Sequence, residues 1–323
     1  MNRIAAFSIG AASGVVGTYL TLKEREDLKV EPKVFKYGRP DSPVSFHSYS
    51  AHSLAYDRAR KIPLWVIERL SPHDIKKEIT ADRHRSNFQP DPFVSPHYSS
   101  ANTDYFNSGW SRGHMAAAGN YKHDQKCMDD TFYLTNILPQ DLDNNIDYWY
   151  RLENYCRQLV KKGYSLTVIS GPLFLPEERD GKKIISHQVI GDNNVSVPTH
   201  LFKILLAERE DEEPPLLGSF IIPNKPVSDC PLRTFQVPLE TIEKHSGSHF
   251  LQNLQRNKAL DLCDKDGCKT ISLNELTLYR YAQKLEQATS KEALEKLWAE
   301  MESKAIKLDK HITAIYKKKM NEF

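Results

Sequence analysis

The sequence predicts an α+β fold, and three observations carry that prediction. Apolar, β-branched runs at 164–170, 200–207 and 217–223 are each bounded by Gly, Pro or charge and read as strands. Helical periodicity runs over 148–162, around 240–245 and again from 273 to the end. These elements do not alternate as a repeating βαβ array, and neither GxGxxG nor GxxxxGK(S/T) occurs, so nucleotide-binding α/β folds find no support. A chain of 323 residues, 40% hydrophobic and 27% charged, suits one large domain with an appendage or two modest domains. That composition excludes collagen-like, low-complexity and wholly disordered chains. The formal charge of +2 speaks against a histone-like nucleic-acid binder, but not against a local basic groove.

Taken in order, the chain begins with an uncharged segment, Ile4 to Leu22, closed by Lys23-Glu24-Arg25-Glu26-Asp27. At about 1.5 Å per residue it reaches about 28 Å, close to a bilayer core of about 30 Å. Gly10 and Gly14 form a GxxxG spacing. A cleaved targeting peptide and an uncleaved signal-anchor both fit, and the near-spanning length favours the anchor. Residues 23–47, charged and carrying Pro32, Pro40 and Pro43, read as a linker. The helix expected over Tyr148 to Lys162 would turn Trp149, Leu152, Cys156 and Leu159 to a core. Residues 208–213, five acids and one base, read as an acidic surface loop before Pro214-Pro215.

Cys127, Cys156, Cys230, Cys263 and Cys268 are odd in number and scattered, so a disulfide framework is not expected. The run CDKDGC from Cys263 to Cys268 lacks a second Cys/His pair for zinc. It also lacks the acids an EF-hand needs, having Leu262 and Leu273 there. It reads as a turn with two incidental thiols. From Leu273 to Phe323 the chain reads as a packed accessory helical part. Thr289 and Glu292 serve as a capping box, and Leu294, Leu297, Trp298, Met301, Ala305 and Leu308 form an apolar stripe. The Lys317-Lys318-Lys319 tail reads as a solvated end.

The residues with chemistry in them run from Ser108 to Glu153. Arg112-Gly113-His114 is followed by the Asn-rich turn Asp141-Leu142-Asp143-Asn144-Asn145 and then by a helix carrying Arg151 and Glu153. Asn145 and Glu153 are eight residues apart, roughly 80° around a regular helix. A single amide suits magnesium, which keeps most of its waters. An Arg matches a pair of phosphate oxygens, and a His takes protons near neutral pH. Such a set could hydrolyse a phosphodiester, although satisfied His and Asn residues in turns are common.

Arg112-Gly113-His114, then Asn136-Ile137-Leu138-Pro139-Gln140, then Asn145 and Arg151-Leu152-Glu153, closely resemble the DNA/RNA non-specific endonuclease family. This is the ββα-metal (His-Me finger) group of endonuclease G and the Serratia-type nuclease. The likeness extends from about His52 to Leu251. It takes in Tyr56-Asp57, Pro63-Leu64-Trp65-Val66, Asp82-Arg83 to Phe88-Gln89-Pro90-Asp91-Pro92, Ser170-Gly171-Pro172-Leu173 and Val197-Pro198-Thr199-His200. Most members carry Asp before the Arg-Gly-His, whereas this chain has Ser111. That change, the apolar N-terminus and the helical C-terminus resemble the mitochondrial exo/endonuclease G branch.

The resemblance implies a ββα-metal core with a mixed sheet and flanking helices. It divides the chain into an anchor or targeting segment (1–22), a linker (23–47), a nuclease domain (48–265) and a wing-like extension (266–323). His114 would be the general base, and Asn145 the direct ligand of Mg²⁺ or Mn²⁺. Glu153 would hold the ion's waters, and Arg112 and Arg83 would contact the scissile phosphate. Lys122 is a further phosphate contact, set against its reading as a solvated lysine. His84, His123 and His187 match no motif position and read as structural or exposed. The implied partners are single- or double-stranded DNA, RNA, the inner mitochondrial membrane through residues 4–22, and a second copy of the chain.

Three functional readings follow. One is a mitochondrial 5′-exonuclease that also cuts internally and leaves 5′-phosphate and 3′-hydroxyl ends in DNA repair or processing. The second is an internally cutting DNA/RNA endonuclease of the endonuclease G kind. The third, prompted by Ser111, is a membrane-tethered nucleic-acid scaffold with a decayed site.

Overall fold

The structure, a computed structural model, describes residues 33–40, 46–209, 214–227 and 229–323. The expected anchor at 4–22, most of the linker and the acids at 210–213 lie outside the described residues. Among the described residues, no helix is long and apolar enough to cross a membrane.

Thirteen strands are described: β1 Phe46–Ser48, β2 His52–Asp57, β3 Ile62–Leu70, β4 Ser111–His114, β5 Ile137–Gln140, β6 Ser165–Leu173, β7 Glu177–Arg179, β8 Lys182–Ile184, β9 Val189–Ile190, β10 Val195–Ser196, β11 His200–Glu208, β12 Leu216–Pro223 and β13 Leu260–Asp261. Seven form one sheet in the order β1-β2-β3-β6-β11-β12-β13, while β4 and β5 stand apart as a separate antiparallel pair. All neighbours in the large sheet are antiparallel except β12 and β13. This is the mixed α+β architecture expected. The three strands expected at 164–170, 200–207 and 217–223 are β6, β11 and β12.

The sheet is buried on both faces, and β11 shows how. Leu201, Leu205 and Ala207 enter one core, while Phe202, Ile204 and Leu206 enter the other. This is the period-two alternation of a strand. The first core is completed by α1 (Tyr150–Lys161), whose Leu152, Tyr155, Cys156, Leu159 and Val160 are buried. The second is completed by α2 (Leu239–Ser246) and by Phe250 and Leu251. The β4–β5 pair followed by α1 makes the ββα unit, stacked on the first face. Three further helices, α3 (Leu273–Gln287), α4 (Lys291–Ser303) and α5 (Lys310–Met320), share a small core of their own around Leu285, Leu294, Met301 and Ile312.

Several expectations change in detail. Within the expected linker, Lys33–Phe35 forms a helical turn, and the Phe35 ring is buried against the second core. Tyr37 donates a hydrogen bond to Glu208 there. Two aromatics in a short stretch with no period were enough to dock it. Cys263 and Cys268 are not incidental thiols but a disulfide, with Cα atoms 4.7 Å apart. The one-turn helix Leu262–Asp266, closed by Gly267 at φ 85° and Cys268 at φ 48°, folds the chain back far enough to join them. The helix cap expected at Thr289 falls at Ser290, whose hydroxyl accepts from the Ala293 amide at 3.2 Å. The expected apolar stripe is broken at Ala305, with φ 49°, so Leu308 lies beyond α4.

Candidate active site

The local geometry around Arg112-Gly113-His114 is set by pairing of β4 with β5, which places Arg112 opposite Pro139, Gly113 opposite Leu138 and His114 opposite Ile137. Gly113 is required by its neighbour: a Cβ there would stand 2.1 Å from Gln140 Oε1. Gln140 in turn donates from Nε2 to Asn144 Oδ1 at 2.8 Å. Asn144 is fully engaged, its amide donating to Pro223 O and Lys225 O and its backbone N–H donating to Asp141 Oδ1. The Asn-rich turn is therefore built on Asn144, which leaves the next residue for chemistry.

That residue, Asn145, opens one turn of π-helix, Asn145–Trp149, ahead of α1. A regular helix would hold Asn145 and Glu153 roughly 80° apart. The extra residue of the π turn makes eight steps count as about seven, which brings the pair to within roughly 20° of one line. The Asn145 amide is also oriented. Its Nδ2 donates to Ser111 Oγ at 3.0 Å, and that hydroxyl donates to Gln140 O at 2.7 Å. The amide nitrogen is thereby held against β4, and no described residue donates to Asn145 Oδ1.

His114, Asn145, Glu153, Arg112, Arg83 and Lys122 all line one cavity of about 650 Å³. The imidazole of His114 is 9% exposed and lies 4.9 Å from the Phe132 ring and 5.2 Å from Phe88, with Nε2 free of any protein partner. Burial, helped by repulsion from Arg83, His52 and Arg112, pushes its pKa down to about 3, so the ring is neutral at physiological pH. Burial raises the pKa of Glu153 against the pull of Arg157, Lys203 and Arg83. Arg112 lies over the Phe88 ring, 4.3 Å from its centroid, and donates to Asn102 Oδ1 at 2.7 Å. Arg83 lies 5.1 Å over the Phe132 ring. Its neighbour Asp82 accepts instead from the His84 backbone N–H at 2.9 Å. Burial lowers the pKa of Lys122, and so do Arg157 and Lys161.

Arg151, next in the motif, is not at the cavity. It is 1% exposed and pairs with Asp147 at 2.8 Å and Asp229 at 2.6 Å, and it donates to Ile271 O at 3.1 Å. Its work is to fasten α1 to the chain leading into α3. His187 packs on Phe174 and His84 is exposed, as expected. His123, by contrast, does line the cavity.

Sequence reasoning missed two groups. Arg157 lines the cavity one helical turn after Glu153, and its Nη1 donates to Asn120 Oδ1 at 3.1 Å. Asn120 is held in turn by buried Glu68, at 3.0 Å. The four-residue spacing from Glu153 was the available signal. Tyr279, Arg280 and Gln283 of α3 form another wall, and Arg280 donates to Ile146 O inside the π turn. No sequence signal places a residue so distant against Asn145.

On the π turn and α1, a divalent ion would find the Asn145 amide oxygen and the Glu153 carboxylate. No cluster of three or more His, Cys, Asp or Glu side chains able to cage a metal occurs among the described residues. This donor set fits a hard, hydrated cation that keeps its waters, rather than a tetrahedral zinc.

Comparison with known proteins points the same way. The family described as DNA/RNA non-specific endonuclease matches residues 31–257. The chain is 42% identical over 324 residues to "Nuclease EXOG, mitochondrial" of Homo sapiens, covering 99% of this chain and 87% of that protein. It is 42% identical over 221 residues to "Endonuclease G, mitochondrial" of Homo sapiens, covering 68% of this chain and 73% of the relative. A solved EndoG/EndoGI complex aligns with a TM-score of 0.67 and 40% identity, over 70% of this chain and 93% of that one.

Proposed function

The chain belongs to the DNA/RNA non-specific endonuclease family, a nuclease with mitochondrial relatives, and from that premise we propose a Mg²⁺-dependent enzyme that cuts DNA from 5′ ends. Mn²⁺ would substitute, and RNA and internal sites would be secondary targets. The observation that carries this reading is that His114, Asn145, Glu153, Arg112 and Arg83 wall a single cavity that α3 overhangs. Residues 48–265 carry the chemistry in this reading, and 266–323 select where on the strand it acts. Residues 4–22 would tether the protein to the inner mitochondrial membrane, and two copies would pair.

In the mechanism, Asn145 Oδ1 would hold the cation, with Glu153 ordering water around it. When bound, such a cation would supply positive charge that offsets the negative charge developing on the phosphate and the leaving oxygen. His114, neutral and with a free ring nitrogen, takes the proton of the attacking water as the P–O3′ bond breaks. Arg112 and Arg83 gather the phosphate and meet the charge that develops on it. Lys122 and Arg157 extend the positive wall toward the neighbouring phosphate. The departing O3′ takes its proton from water, His114 returns its own to solvent, and the products are a 5′-phosphate and a 3′-hydroxyl. Binding through phosphates gives weak sequence preference and affinity that falls steeply with salt.

Ser111 counts against a decayed site, because its hydroxyl holds the Asn145 amide in place. The test uses 5′-labelled and internally labelled duplexes in Mg²⁺, with wild type, His114→Ala and a chain ending at residue 272. Short labelled 5′ products from wild type, replaced by internal cuts in the shortened chain, support the proposal. Internal nicks from both forms would favour the endonuclease G-like reading. Cleavage that survives His114→Ala would remove the assigned mechanism.

A further inference from the structure

A second cavity, of about 560 Å³, lies on the far side of Arg112, and nothing in the chemistry above uses it. Arg112 lines both cavities and is held rigidly between them, stacked on Phe88 and bonded to Asn102, whose Nδ2 donates to Phe88 O at 2.8 Å. The second cavity differs from the first in kind. Apart from Arg112, its walls are aromatic faces and uncharged polar groups, and no carboxylate lines it.

One aromatic is presented to solvent, and a second, Trp110, packs partly against the main core while still lining the cavity. Phe106 is 77% exposed, on the turn that follows the short helix Asn102–Tyr105. Trp110 is fixed across the mouth by Nε1 donating to Gln188 Oε1 at 2.9 Å and by its own N–H donating to Ser108 Oγ at 3.1 Å. The turn between them is tightly specified. Asn107 takes φ 53° and Gly109 φ 82°, and Ser108 Oγ donates to Tyr105 O at 2.9 Å. Asp104 anchors the base of the turn to the Asn193 amide at 3.0 Å. Asn and Gly both take the left-handed region readily, so the turn suits its sequence, and it leaves the Phe106 ring in water beside Arg112 at the cavity.

We propose that this cavity is a nucleobase subsite, in which Phe106 and Trp110 stack the base of the nucleotide just 3′ of the scissile phosphate. The proposal rests on the nuclease reading above, and the side follows from continuity. With α3 closing the first cavity around the 5′-terminal piece, the rest of the strand leaves past Arg112 into the second. Aromatic faces accept any base, whereas the amides of Asn102 and Asn107 offer donors and acceptors without imposing charge. The volume is that of an ordinary small-ligand site.

The test measures kcat and KM for full-length wild type and Phe106→Ala on a DNA strand, and on the same strand with one base removed. The abasic position is placed either 3′ or 5′ of the bond cut. Since Phe106 is exposed, its replacement should fold normally. On intact DNA, Phe106→Ala should raise KM roughly 5- to 100-fold, as expected for losing one stacked base. On the strand lacking the 3′ base, the two proteins should converge; on the strand lacking the 5′ base, the difference should remain. Equal KM values on all three strands, or convergence only when the 5′ base is missing, would overturn the assignment. So would a change of oligomeric state in Phe106→Ala by light scattering, which would make the ring a subunit contact. A parallel binding titration in the His114→Ala background reads the same stacking as Kd. If wild type cleaves nothing, the nuclease reading has failed, while a Phe106-dependent Kd still decides the subsite.

Discussion

The ββα unit and the C-terminal helices are both small assemblies packed around aliphatic side chains, yet they are secured very differently. On α1, Arg151, Leu152, Tyr155, Cys156, Leu159 and Val160 are buried, and beneath them Lys203 lies under the Trp149 ring and donates to Ser170 Oγ at 2.5 Å. Glu68 closes the same layer by accepting from Asn120 and Tyr121. On α4 and α5 together only Leu294, Met301 and Ile312 are buried. The first region is overdetermined, as a site that must hold an amide, an imidazole and a carboxylate in register has to be. The second is a light attachment, fastened through Arg280 to Ile146 O and through Ile271 O to Arg151. Under the proposed function, that difference would separate the chemical step from the choice of where along the strand it occurs.

The sharpest way to break this division is to attack the overdetermined side. His114→Ala and Asn145→Ala should each cut the single-turnover rate by roughly 10²–10⁴-fold while leaving the product pattern of the residual activity unchanged. A pattern that shifts would mean that the cavity also selects. The light side is tested by Leu294→Ala, which should destabilise the three-helix unit by about 2–5 kcal/mol. Limited proteolysis should then remove residues beyond 272, and internal cuts should rise while turnover on short substrates holds. If turnover falls in step, the two regions are one cooperative body.

A third comparison uses pH. Burial pushes the pKa of His52 down to about 4 despite Asp130 and Asp91, and that of His114 to about 3, both from an ordinary 6.5. Between those values the unfolded chain binds protons that the folded chain refuses, so stability rises with pH there. It is fully present above about pH 6.5 and is lost as pH falls toward 4. Thermal unfolding followed from pH 7 to 4 should show this slope for the core, and His52→Phe should flatten it; an unaltered slope would refute the assignment. The smallest effect is expected from Ser111→Ala. Losing one hydrogen bond to the Asn145 amide should raise the Mg²⁺ needed for half-maximal rate roughly 2- to 10-fold, with KM for DNA unmoved.

Much of this was legible in the sequence, and the exceptions have physical reasons. The strands β6, β11 and β12 announce themselves as unbroken aliphatic runs because both faces of the sheet are covered. The strand β3 hides behind Pro63 and the charged Glu68 and Arg69, of which Glu68 is buried on the site face. β4 is four residues long and mostly polar, so only the motif's resemblance marks it. His114, Asn145 and Glu153 stand out in that way, while Tyr279 and Arg280 carry no local signature because long-range packing alone brings them to the cavity. The Cys263–Cys268 pair was hidden by an odd total, which is a statement about the whole chain and not about two neighbours on a turn.

The π turn at Asn145–Trp149 has a consequence for how relatives should be compared. Because its wide turn absorbs one residue, an amide and a carboxylate eight apart on this chain and seven apart on a regular helix would occupy equivalent places. An alignment would score that difference as a gap inside the motif, although no donor atom has moved far. Spacing here is a matter of turns rather than letters. Removing one residue from those five positions would turn the π turn into a regular one and leave the two donors in register.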